Sequence, residues 1–222
     1  EAAEHLVGET RALARGWETD ITIAVDALVP LQALYPLVER LAEQTDTRLR
    51  LRAEVLAGSW ECLEDGRADL LISSLNPDIM MTGIKHQPLQ EEVMLYVAHP
   101  DHPLHLEPEP LADETLRRYR AIAIADTARR KPALTYRLLD KQPRLTVSTM
   151  GEKRDALLAG IGVGTMPLSW IEEDIKAGRL KVIGPEYRHQ VQVVLAWRRD
   201  TMGKAKSWLV REIPKLFPCK GE

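Results

Sequence analysis

Three histidines have a spacing that suggests metal chemistry. His99, His102 and His105 follow the pattern HxxHxxH, and imidazole is a common ligand of zinc. Pro100 and Pro103 lie between them, so the three side chains cannot share one face of a helix. We interpret this segment as a solvent-exposed turn, and the sequence predicts neither a metal ion nor another cofactor.

A glycine-rich run, GIGVG at residues 160–164, resembles a phosphate-binding loop in composition. In dinucleotide-binding folds such a run follows a strand and opens a helix. Here a helical stretch precedes the glycines and an apolar strand follows them, so no nucleotide site is predicted. Gly160 or Gly162 is expected to be the left-handed residue that ends the helix. The chain has no GxSxG or HExxH signature either, and an enzyme is not predicted.

Charge and composition narrow the classes of protein further. Lys and Arg total 30 against 33 Asp and Glu, a net charge of −3, whereas a free-standing nucleic-acid-binding domain carries a basic excess. The 45% hydrophobic and 28% charged content is typical of a globular protein. The two cysteines, Cys62 and Cys219, fit a reducing compartment. No membrane span or signal peptide is predicted, and Glu1 suggests a processed chain or a fragment.

The apolar pattern predicts a first α/β block with strands at 21–25, 48–55 and 69–73, separated by helices. The order β-α-β-α-β demands parallel strands with crossover connections. Strict alternation over 48–55 predicts a half-buried strand near a sheet edge. Pro36 should kink or split the first helix, and Ser59 is expected to cap the second.

A second α/β block follows, with strands predicted at 92–98, 121–125, 144–148, 163–166 and 190–197. The Thr149–Glu152 and Ser169–Glu172 stretches each have the sequence of a capping box that opens a helix. A final amphipathic helix is interrupted by Pro214. No internal repeat of fixed period is present.

Two strands, near 90–97 and 190–197, are expected to connect the blocks. The fold class is therefore α/β, with two lobes, a hinge and an interlobe cleft. We assign residues 20–92 and 197–222 to lobe I and residues 93–196 to lobe II. Residues 1–18 repeat apolar side chains at helical spacing, which fits either a terminal helix docked on the body or a helix that pairs with a partner.

Ligands of open α/β sheets bind beyond the carboxyl ends of the strands, near helix N-termini. Those ends carry hydroxyls, free backbone N–H groups, one tryptophan and two methionines, which suit a small, partly apolar ligand with a polar or anionic group. Ser59 and Thr149 have a second interpretation as helix caps, and Trp60 and Met150 as core residues. The candidate segments are Asp26-Ala27-Leu28, Gly58-Ser59-Trp60, Ser73-Ser74, Asp126-Thr127, Thr149-Met150-Gly151 and Thr165-Met166-Pro167.

Several runs of residues in their order resemble the effector-binding domain of LysR-type transcriptional regulators. They are DLLIS, VMLYVAHPDHPL, LLAGIGVGTMP and VLAWRRD, and the similarity covers residues 20–217. The stretches VLAGSWECLEDGRADLLIS and LLDKQPRLTVSTMGEKRDALLAGIGVGTMP are similar to an enterobacterial subgroup linked to aromatic or quinol-type compounds.

The resemblance implies a cytoplasmic regulator with a type-2 periplasmic-binding-protein fold. Residues 1–19 would be the end of a linker helix, and promoter DNA would be bound by an N-terminal winged helix-turn-helix domain outside this chain. Such domains commonly pair as homodimers, with tetramers in the full-length protein. By analogy the helix after the first strand and the strand at 48–55 would form the pairing surface.

Carried over residue by residue, the family's effector pocket falls at eight positions: Leu28, Ser59, Trp60, Ser73, Thr127, Thr149, Met150 and Thr165. Many members have Ser or Thr where Leu28 stands, to hold an effector carboxylate, so a less polar aromatic effector is favoured here. The main alternative is a solute-binding protein of a transporter, which shares the fold class. An enzyme of similar fold would need a catalytic group in the cleft, for which Asp26 and Asp126 are the acidic candidates.

Overall fold

The computed structural model describes residues 16–75, 83–199 and 202–217. Cys219 and most of the helix predicted over residues 1–18 lie outside these ranges. Residues 16–18 form a turn and an extended stretch that lead into the first strand. The chain divides into two compact units. Unit 1 is Glu1–Glu54, Gly58–Gln90 and Gln192–Glu222, and unit 2 is Val55–Ala57 and Glu91–Val191.

Unit 1 is built on three parallel strands, as the β-α-β-α-β pattern predicts. Strand β1 pairs with β2 on one side and with β3 on the other. Strand β9 then pairs antiparallel with β3, and β2 lies at the edge of the sheet, as predicted. The strands are β1 (Asp20–Asp26), β2 (Arg48–Glu54), β3 (Leu70–Ser74) and β9 (His189–Arg198).

The helices of unit 1 show how proline and local capping set element boundaries. Pro36 lies in the first turn of α1 (Tyr35–Ala42), directly after a 3-10 turn at Leu31–Leu34, so the predicted helix is split in two. Helix α2 (Ala57–Glu64) begins two residues before Ser59. The prediction that Ser59 is its N-cap is therefore wrong.

Unit 2 repeats the same arrangement of strands. Strand β5 runs parallel to β6 and to β7, and β4 pairs antiparallel with β7. Strand β4 is longer than the predicted 92–98, because the extended backbone continues through its polar first half. The strands are β4 (Ile84–Ala98), β5 (Ala121–Ile124), β6 (Arg144–Val147), β7 (Val163–Pro167) and the short β8 (Lys181–Val182).

Three helices belong to unit 2: α3 (Asp113–Leu116), α4 (Met150–Leu158) and α5 (Leu168–Lys176). The capping box at the start of α4 is confirmed, with Thr149 as N-cap. The box predicted at Ser169 is wrong, because α5 begins directly after Pro167, whose side chain cannot accept a hydrogen bond. The backbone N–H of Ser169 instead donates to the buried carboxylate of Glu92 at 3.1 Å.

The glycine run between α4 and β7 contains two distinct backbone requirements. Gly160 has φ of 71° and ends the helix, as predicted for a left-handed terminating residue. Gly162 lies where a Cβ would stand 2.3 Å from the carbonyl oxygen of Arg120. The run therefore serves helix termination and close backbone packing within the unit.

The last helix, α6 (Lys204–Glu212), belongs to unit 1 and continues as a 3-10 turn at Ile213–Leu216, where Pro214 interrupts it. No helix in the described ranges is long and apolar enough to cross a membrane.

Candidate functional site

The candidate residues of unit 1 gather around the carboxylate of Asp26, at the carboxyl end of β1. Ser59 Oγ donates to Asp26 Oδ2 at 2.6 Å, and Ser73 Oγ donates to the same oxygen at 3.5 Å. The backbone N–H of Leu28 donates to Asp26 Oδ1 at 3.0 Å. All four residues are buried. Asp26 thus holds together three of the four positions predicted in this unit.

Trp60 lies next in sequence to Ser59 and is 5% exposed. Its indole N–H donates to the carbonyl oxygen of Ser74 at 3.2 Å, which satisfies the polar end of the ring. The ring packs in an apolar cluster that includes Leu63 and Val194. Most of the Trp60 side chain is therefore buried, in agreement with its interpretation as a core residue.

In unit 2 a second aspartate occupies the matching position after the central strand. Asp126 follows β5, and its Oδ1 accepts the N–H of Ala128 at 2.9 Å, as Asp26 does for Leu28. Its Oδ2 accepts the N–H of Leu134 at 2.7 Å and that of Ala57 at 3.3 Å. The bond from an aspartate side chain to the N–H two residues later is a common turn. Both acidic candidates are therefore engaged in holding the backbone at strand ends.

The side chain of Thr127, like that of Asp126, forms hydrogen bonds to the backbone. Its hydroxyl oxygen accepts the N–H of Val55 at 2.9 Å and lies 3.3 Å from the Val55 carbonyl oxygen, to which it donates. Thr127 thereby attaches the segment Val55–Ala57 to the rest of unit 2.

Thr149 and Met150 begin helix α4. The Thr149 hydroxyl accepts the N–H of Glu152 at 3.1 Å, and the Glu152 carboxylate accepts the N–H groups of Ser148 and Thr149, each at 2.9 Å. These backbone donors, that of Ser148 above all, lower the pKa of Glu152. Thr149 is exposed, whereas Met150 is buried, so the cap interpretation fits Thr149.

Thr165 differs from the other candidate hydroxyls. It is 5% exposed in the middle of β7, where it pairs with Tyr96 of β4. Its side chain makes no hydrogen bond to any residue within the three described ranges. Among the described residues, the Thr165 hydroxyl oxygen is not one of the fully buried polar atoms that lack a partner, so it keeps contact with solvent and is open to a ligand.

Sequence reasoning missed one titratable residue beside these positions. Lys153 lies one turn into α4 and is 7% exposed. Its Cε is 3.2 Å from the point where a Cβ on Gly164 would stand. Burial lowers the pKa of Lys153 to about 8, because the charged form is poorly solvated. No local sequence signal marks it, since a lysine in the first turns of a helix is usually exposed.

The three histidines stabilise their own loop. The His102 ring accepts the N–H of Leu104 at 3.2 Å, and His105 Nε2 lies 3.1 Å from the carbonyl oxygen of His99. Burial is the main cause that lowers the pKa of both His102 and His105. Within the described part of the chain, no group of three or more His, Cys, Asp or Glu side chains is placed to hold a metal ion.

Comparison with known proteins identifies the family. The model of the LysR substrate binding domain matches residues 14–217. The chain belongs to the LysR family. The resemblance read from the sequence is thereby confirmed, and the chain is the effector-binding domain of a LysR-type transcriptional regulator.

Two relatives from Escherichia coli K12 support this assignment. The probable HTH-type transcriptional regulator YhaJ is 54% identical over 223 residues, covering 99% of this chain and 74% of YhaJ. The HTH-type transcriptional regulator YeeY, described as uncharacterized, is 32% identical over 205 residues, covering 90% of this chain and 66% of YeeY. These LysR-family relatives are regulators of transcription, not transporter components or enzymes.

Solved structures of LysR regulators share the fold. Full-length LysG from Corynebacterium glutamicum with bound effector Arg superimposes with a TM-score of 0.70 at 19% identity, covering 97% of this chain and 75% of LysG. ArgP from Mycobacterium tuberculosis gives 0.64 at 20% identity, covering 97% and 72%. The two-unit α/β fold is therefore that of LysR regulatory domains.

Proposed function

We propose that this LysR-family domain binds a small aromatic effector through the eight residues predicted at its strand ends. The observation that carries the proposal is Thr165, a largely buried side chain whose hydroxyl has no hydrogen-bond partner in the described residues. An effector that bonds to this hydroxyl would take the place of solvent, and the hydroxyl offers it both a donor and an acceptor.

The aromatic class of the effector is supported by Leu28. It stands where many family members have a hydroxyl, and its buried apolar side chain supplies no hydroxyl that could hold a carboxylate. Phenols and quinols combine an aromatic ring with a hydroxyl and match such a mixture of apolar wall and single polar groups.

Binding would act on transcription by shifting an equilibrium between two states of the domain. Only an effector with different affinities for the two states can do so. We propose that residues 20–92 with 197–222 and residues 93–196 act as the two lobes in this change. Residues 1–19 would transmit it, as the end of a linker helix, to a DNA-binding domain in the cytoplasm.

Thermal unfolding with phenols, quinols and aromatic carboxylates tests the proposal, with Thr165→Val as the diagnostic variant. Valine keeps the shape and removes only the unpaired hydroxyl, so the unliganded variant should be at least as stable as the wild type. A phenol or quinol should stabilise the wild type saturably. The Thr165→Val variant should need about ten times the ligand concentration for the same stabilisation.

Thr127→Val is the matched control. Its hydroxyl already bonds to Val55, so this variant should lose stability without any ligand present. Unchanged effector affinity in Thr165→Val would contradict the site, and stabilisation by carboxylates alone would contradict the effector class.

We also propose that the domain forms a homodimer through α1 and the edge strand β2, with tetramers in the full-length regulator. Tyr35 and Val38 on α1 are 54% and 39% exposed, and β2 lies at the sheet edge. Exposed apolar side chains beside an open edge are typical of association surfaces.

Light scattering should show that Val38→Asp lowers the dimer fraction, whereas Val182→Asp, at a 36% exposed valine of β8, leaves it unchanged. Equal effects would contradict this surface.

A further inference from the structure

A cavity in unit 1 belongs to none of the residues proposed to bind the effector. It lies beside α6, is open to solvent on one side and has a volume of about 390 Å³, enough for a small ligand. Its walls combine two indole rings, a thioether and two basic side chains. The residues that give it this chemistry are Trp17, Gln44, Met202, Lys204, Trp208 and Arg211.

One wall of the cavity is held in place by hydrogen bonds between residues 16–18 and the start of α6. The Glu18 carboxylate accepts the N–H groups of Ala205 and Lys206 at 2.9 and 3.4 Å, and the carbonyl oxygen of Gly16 accepts the N–H of Lys204 at 3.0 Å. A Cβ on Gly203 would stand 2.2 Å from the Glu18 carboxylate carbon. The cavity is therefore lined by a fixed backbone, which reduces the entropy that a ligand must overcome.

The other wall is one face of α6. Lys204, Trp208 and Arg211 are spaced at i, i+4 and i+7, so they lie on the same side of the helix. The opposite side buries Ala205 and Leu209. This face thus presents positive charge and an aromatic surface in place of core contacts.

The two basic side chains of this face are not in salt-bridge contact with an acidic side chain among the described residues, although Lys215, Arg40 and the charge of Arg211 together lower the pKa of Glu212. Neither Lys204 nor Arg211 forms a salt bridge or side-chain hydrogen bond within that part of the chain. Of the acidic groups nearby, Glu212 is paired with Arg40 and Lys215, and Glu18 is bonded to the helix N-terminus. Both cations are available to an anion.

We propose that this cavity is a second ligand site, distinct from the effector site, and that it takes a planar aromatic carboxylate. The ring would stack against the indoles of Trp17 and Trp208, and the carboxylate would pair with Arg211 and Lys204. A ligand there touches both residue 17 and α6, so it strengthens the attachment of the segment that precedes β1.

Benzoate, with benzamide as its uncharged counterpart, is the probe. Calorimetry and the NMR signals of the tryptophan indole N–H groups, assigned with Trp17→Phe and Trp208→Phe, report whether binding occurs at this cavity. Benzoate should bind saturably, shift the signals of Trp17 and Trp208, and bind at least about tenfold more tightly than benzamide.

Arg211→Met should weaken benzoate binding about tenfold, Arg211→Lys should restore part of it, and Arg144→Met, at an exposed arginine of unit 2, should have no effect. Thr165→Val should leave these signals unchanged. If benzoate fails to shift them at millimolar concentration, or if Arg211→Met binds like the wild type, the inference is overturned. Binding that depends on Thr165 but not on Arg211 would overturn it while supporting the effector site.

Discussion

Asp26 and Asp126 show how single residues organise the strand ends of this LysR-family domain. Asp26 is the last residue of β1 and Asp126 lies two residues after β5, and each accepts the backbone N–H of the residue two positions later. Asp26 also accepts two serine hydroxyls, so Ser59 and Ser73 use their protons within the protein. In the effector site that we propose, these two serines can still accept hydrogen bonds from a ligand, because it is their protons that are donated to Asp26.

The two serine bonds differ in length, which predicts different costs of removing them. Ser59→Ala should lower the free energy of unfolding by about 2 kcal/mol, because it deletes a short buried bond to a carboxylate. Ser73→Ala should cost less than about 1 kcal/mol, since its bond is 3.5 Å long and both serines are equally buried. Urea unfolding measures both values, and a larger loss in Ser73→Ala would contradict this account.

Lys153 should make stability depend on pH. Its pKa of about 8 in the folded protein lies below the ordinary 10.5, so between these values the unfolded chain binds more protons and stability rises with pH. Below about pH 8 both states are charged and the full cost, about 3 kcal/mol, is present. The Lys153→Met variant should therefore be more stable than the wild type near neutral pH. Its free energy of unfolding should not increase between about pH 8 and about pH 10.

Urea unfolding between about pH 7 and about pH 10 measures this difference. Lys176→Met, at an exposed lysine of α5, is the matched control and should keep the rise seen in the wild type. Parallel pH curves for the wild type and Lys153→Met would show that Lys153 is solvated.

At the scale of elements, strand β7 packs closely against helix α4 and strand β5 because of the glycines before and within it. Gly162 approaches the backbone of Arg120, and Gly164 accommodates the buried side chain of Lys153. The capping box fixes where α4 begins, and Gly160 fixes where it ends. These contacts define the position of Thr149, Met150 and Thr165 within unit 2.

Gly162→Ala should lower the free energy of unfolding by at least about 2 kcal/mol, because backbone atoms must move to admit the methyl group. Gly151→Ala is a matched change in α4, where the added Cβ would meet only Thr149 Oγ1 at 3.9 Å. It should be neutral or stabilising by up to about 1 kcal/mol, owing to the higher helix propensity of alanine. Thermal and urea unfolding compare the two, and similar losses would contradict the close-packing account.

At the scale of the whole molecule, two units share one plan: three parallel strands with an antiparallel strand beside them. Strands β4 and β9 each contribute residues to both units.

The net charge of −3 predicts that these 222 residues alone do not bind double-stranded DNA, because affinity for the phosphate backbone requires a basic surface. Fluorescence anisotropy with labelled promoter DNA should show no saturable binding, even at low salt. Binding that weakens steeply as salt is added would contradict this prediction. A full-length regulator that includes a helix-turn-helix domain is the positive control.

The sequence alone determined the order of strands β1 to β7 and β9, the edge position of β2, the capping box at Thr149 and the LysR family; it missed α3 and β8. These features depend on local periodicity, capping and the order of motifs, which a chain carries without its tertiary contacts. The same local reasoning failed at Ser59 and Ser169, whose hydrogen-bond partners are distant in sequence. Ser59 bonds to Asp26, 33 residues away, and the N–H of Ser169 bonds to Glu92, 77 residues away.

Only the tertiary structure decided which candidate hydroxyls already form hydrogen bonds within the protein. Ser59, Ser73 and Thr127 bond within the protein, whereas Thr165 finds no partner among the residues that the structure describes. Burial of Lys153 and the two-indole cavity beside α6 likewise arise from packing between elements. The physical reason is that desolvation and hydrogen-bond satisfaction depend on which distant residues meet, and residue type alone does not specify this.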